Sequence, residues 1–509
     1  MYYLACSLVE WLKRLDIRAI ALLFGALTFF STALVALFIY DAMPHIPDER
    51  AYLWQAKLFL TGRAWLPMTP NWPHVQLLYI LHAGGRIFSL YPPGFPLVLS
   101  IGQIFGAPWL VNPVLAGLVV LLSVLLAHRL FDRGVAVVTG ALALSSPMML
   151  LHGGCFMSHV AAMFFILLGY YLLIIASDTK HMWTVLGAGL SLGFAFSTRA
   201  YSAVILGAPA GMWMVLVILG WSSRLSRRQV LLFIAGSLLG ALPWFVYNYL
   251  VTGSPIANLY TIWMPTNRPT LGLDKGWEGF LSVLDRGTKN AYGDLLDLAE
   301  LAMAIPSVGG FSLAPWIALA AILLSFRHRG IAILLLFFLV LNVIGFMFFW
   351  SGGRGDFGPR YYAESLPFVW ILTAAGLASL AKTLRFPTSI SSITLFLLLG
   401  IGTWQITSPF LSARRGLQGN TALFRDTISN MGLTDSVVFI PKSRQNAFFS
   451  LVWLNDPDLK SSTIFARDLG PNLRYRVLER RPTSRAFVML PDGTISPLPS
   501  DGGKEPGNG

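Results

Sequence analysis

The sequence predicts an all-α polytopic membrane bundle of about eleven transmembrane helices, with a small α/β extracytoplasmic domain at the C-terminus. Three observations carry that expectation. The first is composition: of 509 residues, 55% are hydrophobic and 12% charged, and the mean hydropathy is +0.64. Soluble domains carry about a quarter charged residues, so an ordinary cytosolic enzyme is excluded. The second is a series of apolar runs long enough, or nearly so, to cross a bilayer: 19–40, 108–128, 134–150, 159–176, 182–198, 200–221, 229–250, 311–325, 331–350, 363–381 and 388–407. The third is the placement of the positive charges between those runs.

Lys and Arg number 37 against 24 Asp and Glu, a net charge of +13. In a membrane protein such an excess marks topology, because short cytoplasmic loops are rich in Lys and Arg. Here every second connection is basic: Lys13, Arg14 and Arg18, then Arg129 and Arg133, Lys180, Arg224 with Arg227 and Arg228, Arg327 with Arg329, and Lys382 with Arg385. The stretch 151–158 on the other side has no Lys or Arg. This pattern predicts a cytoplasmic N-terminus, an extracytoplasmic C-terminus and an integral multi-pass protein. The excess is not read as a nucleic-acid surface, and no nucleic acid is expected as a partner. Cys6 and Cys155 fall on opposite faces, too few and too far apart for a disulfide scaffold. The first span is expected to stay, since its apolar run is long and no small-residue cleavage site follows.

The expected organisation is a transmembrane domain over 1–407 with outer loops 41–107 and 251–310, a small α/β domain over 408–499, and a disordered end at 500–509. Residues 93–106 follow Pro92 and Pro93 and are too short for a span; they read as an interfacial or re-entrant helix. A surface helix is expected at 49–62, and Trp65, Trp72 and Tyr79 suit the headgroup layer. The second loop offers a helix near 291–304. In the tail, 437–440, 462–465 and 486–490 read as strands, with helices around 420–430 and 445–454.

The spans hold almost no ionisable residue. Asn112, Asn248 and Asn342 are polar, and Glu364 sits at the edge of its span. Ion-coupled transporters keep charged groups near the midplane, so this scarcity points chemistry toward the outer surface. There the sharpest feature is Asp48-Glu49, just after the first span. A carboxylate held at that surface can deprotonate a hydroxyl as general base. The same pair, behind Pro47, also suits a helix start with Asp48 as N-cap and Glu49 favoured by the helix dipole. No other Asp or Glu occurs until Asp132. Residues 350–364, WSGGRGDFGPRYYAE, combine glycines with Arg354 and Arg360, which can grip a phosphate with fork geometry, and with Tyr361 and Tyr362, which also suit an interfacial aromatic belt. Arg199 ends a very short connection, where it either reaches the headgroups or holds an anionic lipid head. His152 and His159 flank Cys155 at a spacing that matches no closed zinc site, so no metal site is assigned. Lys57, Arg63 and Arg86 add positive charge to the first loop, directed at a ligand or at headgroups.

Several of these pieces occur in a familiar order. The acidic pair is followed by Tyr52, Ala56, Phe59-Leu60 and Gly62, then by YPPGFPLVLSIGQIFG from Tyr91. This arrangement resembles the first outer loop and Pro-Pro helix of the GT-C membrane glycosyltransferases, in particular the protein O-mannosyltransferase and aminoarabinose-transferase-like branches. The resemblance covers the first 200 or so residues best and is weak over the tail. It implies a transferase that uses a polyprenyl-phosphate-linked sugar on the outer face of the lipid bilayer. It further implies that Asp48 is the catalytic base, with Glu49 as its neighbour. Relatives often show further charged functional residues later in this loop. Here no carboxylate follows, so a divalent cation, the one candidate cofactor, lacks ligands beyond the pair.

The residue inventory meets the needs of such a reaction. A sugar bound through C1–O–phosphate already has a good leaving group, so the requirements are a base and positive charge for the departing phosphate. Asp48 supplies the first; Arg199, Arg354 or Arg360 supply the second. Tyr52, Arg86, Tyr91, His159 and Tyr361 are expected substrate contacts. A single in-line displacement inverts the anomeric centre. The donor sugar and the acceptor, whether protein, lipid or polysaccharide, leave no readable pattern. Two other classes stay open on the residues alone: a transporter or flippase of lipid-linked sugars, and a non-catalytic envelope scaffold.

Overall fold

A computed structural model describes residues 14–69, 72–264, 276–304, 329–349, 357–385, 388–415, 432–440, 451–470, 481–490 and 494–498, with a few isolated positions between them. In chain order the helices of eight residues or more are α1 (Ile17–Phe38), α2 (Pro47–Leu60), α3 (Gly94–Ile104), α4 (Val111–Leu130), α5 (Arg133–Ser145), α6 (Pro147–Gly154), α7 (His159–Thr179), α8 (Met182–Thr198), α9 (Ala200–Ile218), α10 (Arg227–Thr252), α11 (Gly276–Met303), α12 (Arg329–Met347), α13 (Leu366–Thr383) and α14 (Thr388–Gly402). The strands of the two larger sheets are β1 (Leu66–Pro67), β2 (Ile80–Ala83), β3 (Arg86–Ser89), β4 (Ser436–Ile440), β5 (Thr463–Arg467), β6 (Arg485–Met489) and β7 (Ile495–Pro497). The chain divides into two compact units. One comprises 1–39, 109–245 and 266–414; the other comprises 40–108, 246–265 and 415–509.

The first unit is a helical bundle. Among the described residues seven helices are long and apolar enough to cross a membrane, and an eighth if α5 and α6, bent by 59° at Ser146, form one broken span. The expected eleven are therefore not all found as unbroken crossings. α8 is a shorter apolar helix of 17 residues, α14 stops at Gly402 and passes into a π-turn over Thr403–Thr407, and of 311–325 only a short strand, Phe311–Ser312, and Leu323 are described. Large apolar side chains point away from the bundle, among them Leu22, Phe30, Leu34 and Leu238, each more than half exposed. Such an apolar exterior is unfavourable in water and suits hydrocarbon.

The basic connections meet at one end of this bundle. Arg129 pairs with Asp178, Lys382 with Asp132 at 3.3 Å, Arg133 donates to the Leu15 carbonyl, and Lys180 donates to that of Arg224.

Glycines set one very close helix crossing. A methyl group added at Gly189 would lie 2.1 Å from the Phe233 carbonyl oxygen, and one at Gly193 would lie 2.1 Å from that of Ser237. Reciprocally, methyl groups added at Gly236 and Gly240 would lie 2.3 and 2.2 Å from the Leu186 and Leu190 carbonyl oxygens. Two small-xxx-small faces therefore let α8 and α10 pack backbone to backbone, and Ser197 Oγ donates to the Gly240 carbonyl at 2.9 Å across the seam.

The second unit holds residues 40–108, residues 246–265 and the tail. β1, β2 and β3 form an antiparallel sheet in the order β1-β3-β2. In the tail, β4 pairs in parallel with β5 and β6, and β7 adds antiparallel, in the order β5-β4-β6-β7. The three expected tail strands are present within a residue or two, and β7 joins them. α3 occupies the stretch read as a short non-spanning helix; α2 occupies the stretch read as a surface helix, but this is corrected, since Glu49 to Ala56 and Leu58 are all buried, the polar Arg50 and Gln55 included. The expected helix at 420–430 and the tail end at 500–509 lie outside the described residues; of 445–454 only its last residues are described, with a 3-10 turn at Val452–Leu454. In the other unit the helix expected near 291–304 is the far longer α11.

Replacing Gly240 by Val is expected to destabilise the bundle by about 1–3 kcal/mol through overpacking. The check is the Tm of the detergent-purified protein, with Gly207→Ala as reference, since nothing lies within 4 Å of a methyl group built there. A fall confined to Gly240→Val is the expected outcome.

Candidate functional site

The N-terminus of α2 follows from four consecutive residues. Ile46 is the N-cap and has no side-chain oxygen to offer, while Pro47 at the first helical position has no N–H to satisfy. The carboxylate three positions after the cap therefore folds back: Glu49 Oε2 accepts from the backbone N–H of His45 at 2.6 Å and of Ile46 at 3.2 Å. Glu49 is fully buried in this role. The expectation that Asp48 is the N-cap is thus corrected: the cap residue is Ile46 and the capping carboxylate is Glu49.

Asp48 is left half-buried and turned elsewhere. Its Oδ1 accepts a hydrogen bond from the Tyr91 hydroxyl at 2.7 Å, and its other oxygen has no protein partner among the described residues. Tyr91 sits where β3 gives way to α3. Its backbone N–H donates to Ser89 Oγ at 3.2 Å and its carbonyl accepts from Gln55 Nε2 at 3.2 Å. Its ring packs on Tyr52 (centroids 4.5 Å apart) and on Tyr79 (5.5 Å), and Tyr52 stands edge-on to Phe95. Burial, and next the charge of Asp48, push the Tyr91 hydroxyl well above the usual phenol range. The phenol therefore stays protonated and remains a donor to Asp48.

Two further polar groups here escaped the sequence reading. Arg50 is 1% exposed; its Nη2 donates to the His45 carbonyl at 2.8 Å, and burial lowers its pKa to about 10 against the opposing charge of Glu49. His45 Nδ1 lies 2.9 Å from the Met43 carbonyl. Arg86, expected to touch substrate, donates to the Leu250 carbonyl at 2.7 Å and lies over the Trp65 ring.

The bundle unit contains a second polar cluster. Asn112 Nδ2 donates to the Cys155 and Met157 carbonyls at 2.6 and 2.8 Å, which fixes the turn before α7. His159, the first residue of α7, places Nδ1 3.0 Å from Glu364 Oε1, and Arg199 Nε approaches the same oxygen at 2.6 Å. Arg199 Nη1 also lies 3.3 Å from Ser158 Oγ. The side chains of His159 and Glu364 are wholly buried and that of Arg199 is 17% exposed. Buried charges persist when paired, and Glu364 is the partner of Arg199 that the sequence did not identify. Arg360 lies over the ring of Tyr361, which stacks on Phe346 with centroids 4.9 Å apart. Arg354 lies outside the described residues. Among the described residues no group of three or more His, Cys, Asp or Glu is arranged to hold a metal ion. Within the acidic pair, Glu49 Oε2 is taken by backbone N–H groups.

Replacing Glu364 by Ala strands a buried cation and is expected to cost about 3–5 kcal/mol. Removing both partners, Arg199→Ala with Glu364→Ala, is expected to cost less than Glu364→Ala alone. Thermal unfolding of the three proteins checks the sign of that coupling.

No known sequence family matches the chain, and no curated protein does. Solved structures do. The oligosaccharyltransferase of Archaeoglobus fulgidus in its apo form aligns over 95% of this chain and 74% of its own, at 13% identity and a TM-score of 0.52. ArnT from Cupriavidus metallidurans bound to undecaprenyl phosphate aligns over 92% of this chain and 93% of its own, at 14% identity and a TM-score of 0.53. The apo state of the same ArnT aligns over 91% and 92%, at 15% identity and a TM-score of 0.50. The chain therefore has the fold of the polytopic GT-C membrane glycosyltransferases.

Proposed function

We propose that the protein is a membrane glycosyltransferase that moves a sugar from a polyprenyl-phosphate donor to an acceptor hydroxyl on the outer face of the membrane. The observation that carries this reading is the division of labour in the acidic pair: Glu49 caps α2, while Asp48 is held by Tyr91 with its second oxygen free of protein partners among the described residues. The fold shared with ArnT, which binds undecaprenyl phosphate, supports a lipid-phosphate donor. In this reading eleven crossings put the N-terminus in the cytoplasm and the α/β tail, 408–499, outside.

Asp48 is the general base. Its free oxygen takes the proton of the acceptor hydroxyl as that oxygen attacks C1 of the sugar, and the C1–O bond to the lipid phosphate breaks. The departing electron pair stays on the phosphate, and attack from the opposite side inverts the anomeric centre. Arg199, Arg354 and Arg360 are assigned to the phosphate's negative charge, with Arg199 oriented through its Nε contact to Glu364. Tyr91 positions the base without titrating. Tyr52, His159 and Tyr361 stay assigned as substrate contacts, and no step runs through a metal.

Asp48→Asn is expected to remove transfer of labelled sugar from polyprenyl phosphate by about 10²–10⁴-fold, the usual contribution of a general base, while the protein still accumulates in membranes. Tyr91→Phe, which keeps the ring and removes the donor, is expected to give an intermediate loss. Full activity of Asp48→Asn overturns the assignment of the base. Movement of lipid-linked sugar across liposomes with no covalent product replaces the transferase reading with a flippase.

A further inference from the structure

Within the second unit a cavity of about 310 Å³ opens between α2, the β1–β3 sheet and the segment 452–460 of the tail. Trp54, Leu66 and Leu77 contribute apolar surface, and Arg63, Asp456 and Asp458 polar groups. Its volume is at the lower end of the range for small-ligand sites. The walls are held by specific bonds. Lys57 Nζ, from α2, donates toward the carbonyls of Trp453, Leu454 and Asn455 at 3.4, 3.4 and 3.5 Å and lies 5.8 Å from the centre of the Trp453 ring. Asn455 locks the same segment to β5, its amide donating to the Phe465 carbonyl and accepting from the Phe465 N–H, both at 2.9 Å. Asp456 Oδ2 accepts from Ser461 Oγ at 2.8 Å.

The chemistry of the lining selects among ligand classes. Its charged residues are two of each sign, Arg63 and Lys460 against Asp456 and Asp458, and Lys460 pairs with Asp458 at 3.0 Å. Balanced charge gives little attraction to a phosphate or to a basic peptide. Carboxylates accept from hydroxyl groups, guanidinium and ammonium groups donate to them, and an indole with aliphatic neighbours takes the C–H face of a ring. That combination fits an uncharged polyhydroxylated ring compound, a neutral glycan.

We infer that this cavity is a binding site for a neutral glycan. Trp54 is six residues after Asp48 on α2, about 9 Å further along the helix axis and about 120° around it, and Asp48 does not line the cavity. The site is therefore separate from the proposed base, and the inference does not rest on the transferase reading.

The test is saturation-transfer NMR on the detergent-purified full chain, with maltotetraose and N-acetylchitotetraose as probes. At least one probe is expected to show saturation on its ring C–H protons. Arg63→Ala combined with Asp458→Ala is expected to reduce it at least about five-fold, the effect of losing roughly 1 kcal/mol of polar contacts. Lys460→Ala, at an exposed side chain, is expected to lower it without changing the Tm and covers the case in which the double variant fails to fold. Asp48→Asn is expected to leave it intact. No saturation with either probe, saturation indifferent to all these lining changes, or displacement of the bound sugar by an uncharged Ser-rich peptide overturns the inference. If Asp48→Asn leaves transfer intact while the lining variants lose probe binding, the base assignment falls and the glycan site stands.

Discussion

The hydrogen bond from the Tyr91 hydroxyl to Asp48 is the contact on which the functional account depends, and Glu49 makes it available. A helix that begins Ile46-Pro47 lacks a capping side chain at its own N-cap, so two backbone N–H groups ahead of it need an acceptor. Glu49, three residues after the cap, reaches them; Asp48, one residue earlier, points elsewhere and is met by a phenol that burial keeps protonated. Two adjacent carboxylates thereby acquire different work from geometry alone. The aromatic cluster of Tyr52, Tyr79, Tyr91 and Phe95 fixes the donor, and packing of α2 against α3 holds the cluster.

In the bundle the same economy holds. Hydrocarbon gives helices no hydrophobic reason to associate, so close approach is secured by small residues, and the four glycines of α8 and α10 bring backbones into contact. Outside α11, which carries charged residues along its length, charge is kept to the helix ends. One end gathers the basic connections with Asp132 and Asp178; the buried His159–Glu364–Arg199 cluster joins the starts of α7 and α9 to the turn before α13.

Much of this was legible in the sequence. Apolar run length and alternating basic connections located most of the bundle, because both follow from bilayer thickness and charge bias and need no tertiary information. The tail strands were legible because β-branched and aromatic runs between turn residues leave few alternatives. Helix count was less legible: α8 and α14 are apolar but too short or broken to meet the length criterion, and a break such as the π-turn after Gly402 carries no compositional mark. At the site, the acidic pair and Tyr91 were visible as residues, yet which carboxylate caps depended on the chain direction at Ile46. The pairing of Arg199 with Glu364 joins positions 165 residues apart, and only folding brings them together. The GxxxG seam was present in the letters, but its role required knowing which two helices cross.

The most direct measurement is a cryo-EM structure of the protein with a non-hydrolysable polyprenyl-phosphate sugar. The account predicts density for the sugar beside the free oxygen of Asp48, with the Tyr91 hydroxyl still on the other, so that an acceptor hydroxyl fits between Asp48 and C1. A sugar seated where the Asp48 side chain does not reach, or Asp48 turned back onto the α2 backbone in place of Glu49, contradicts it.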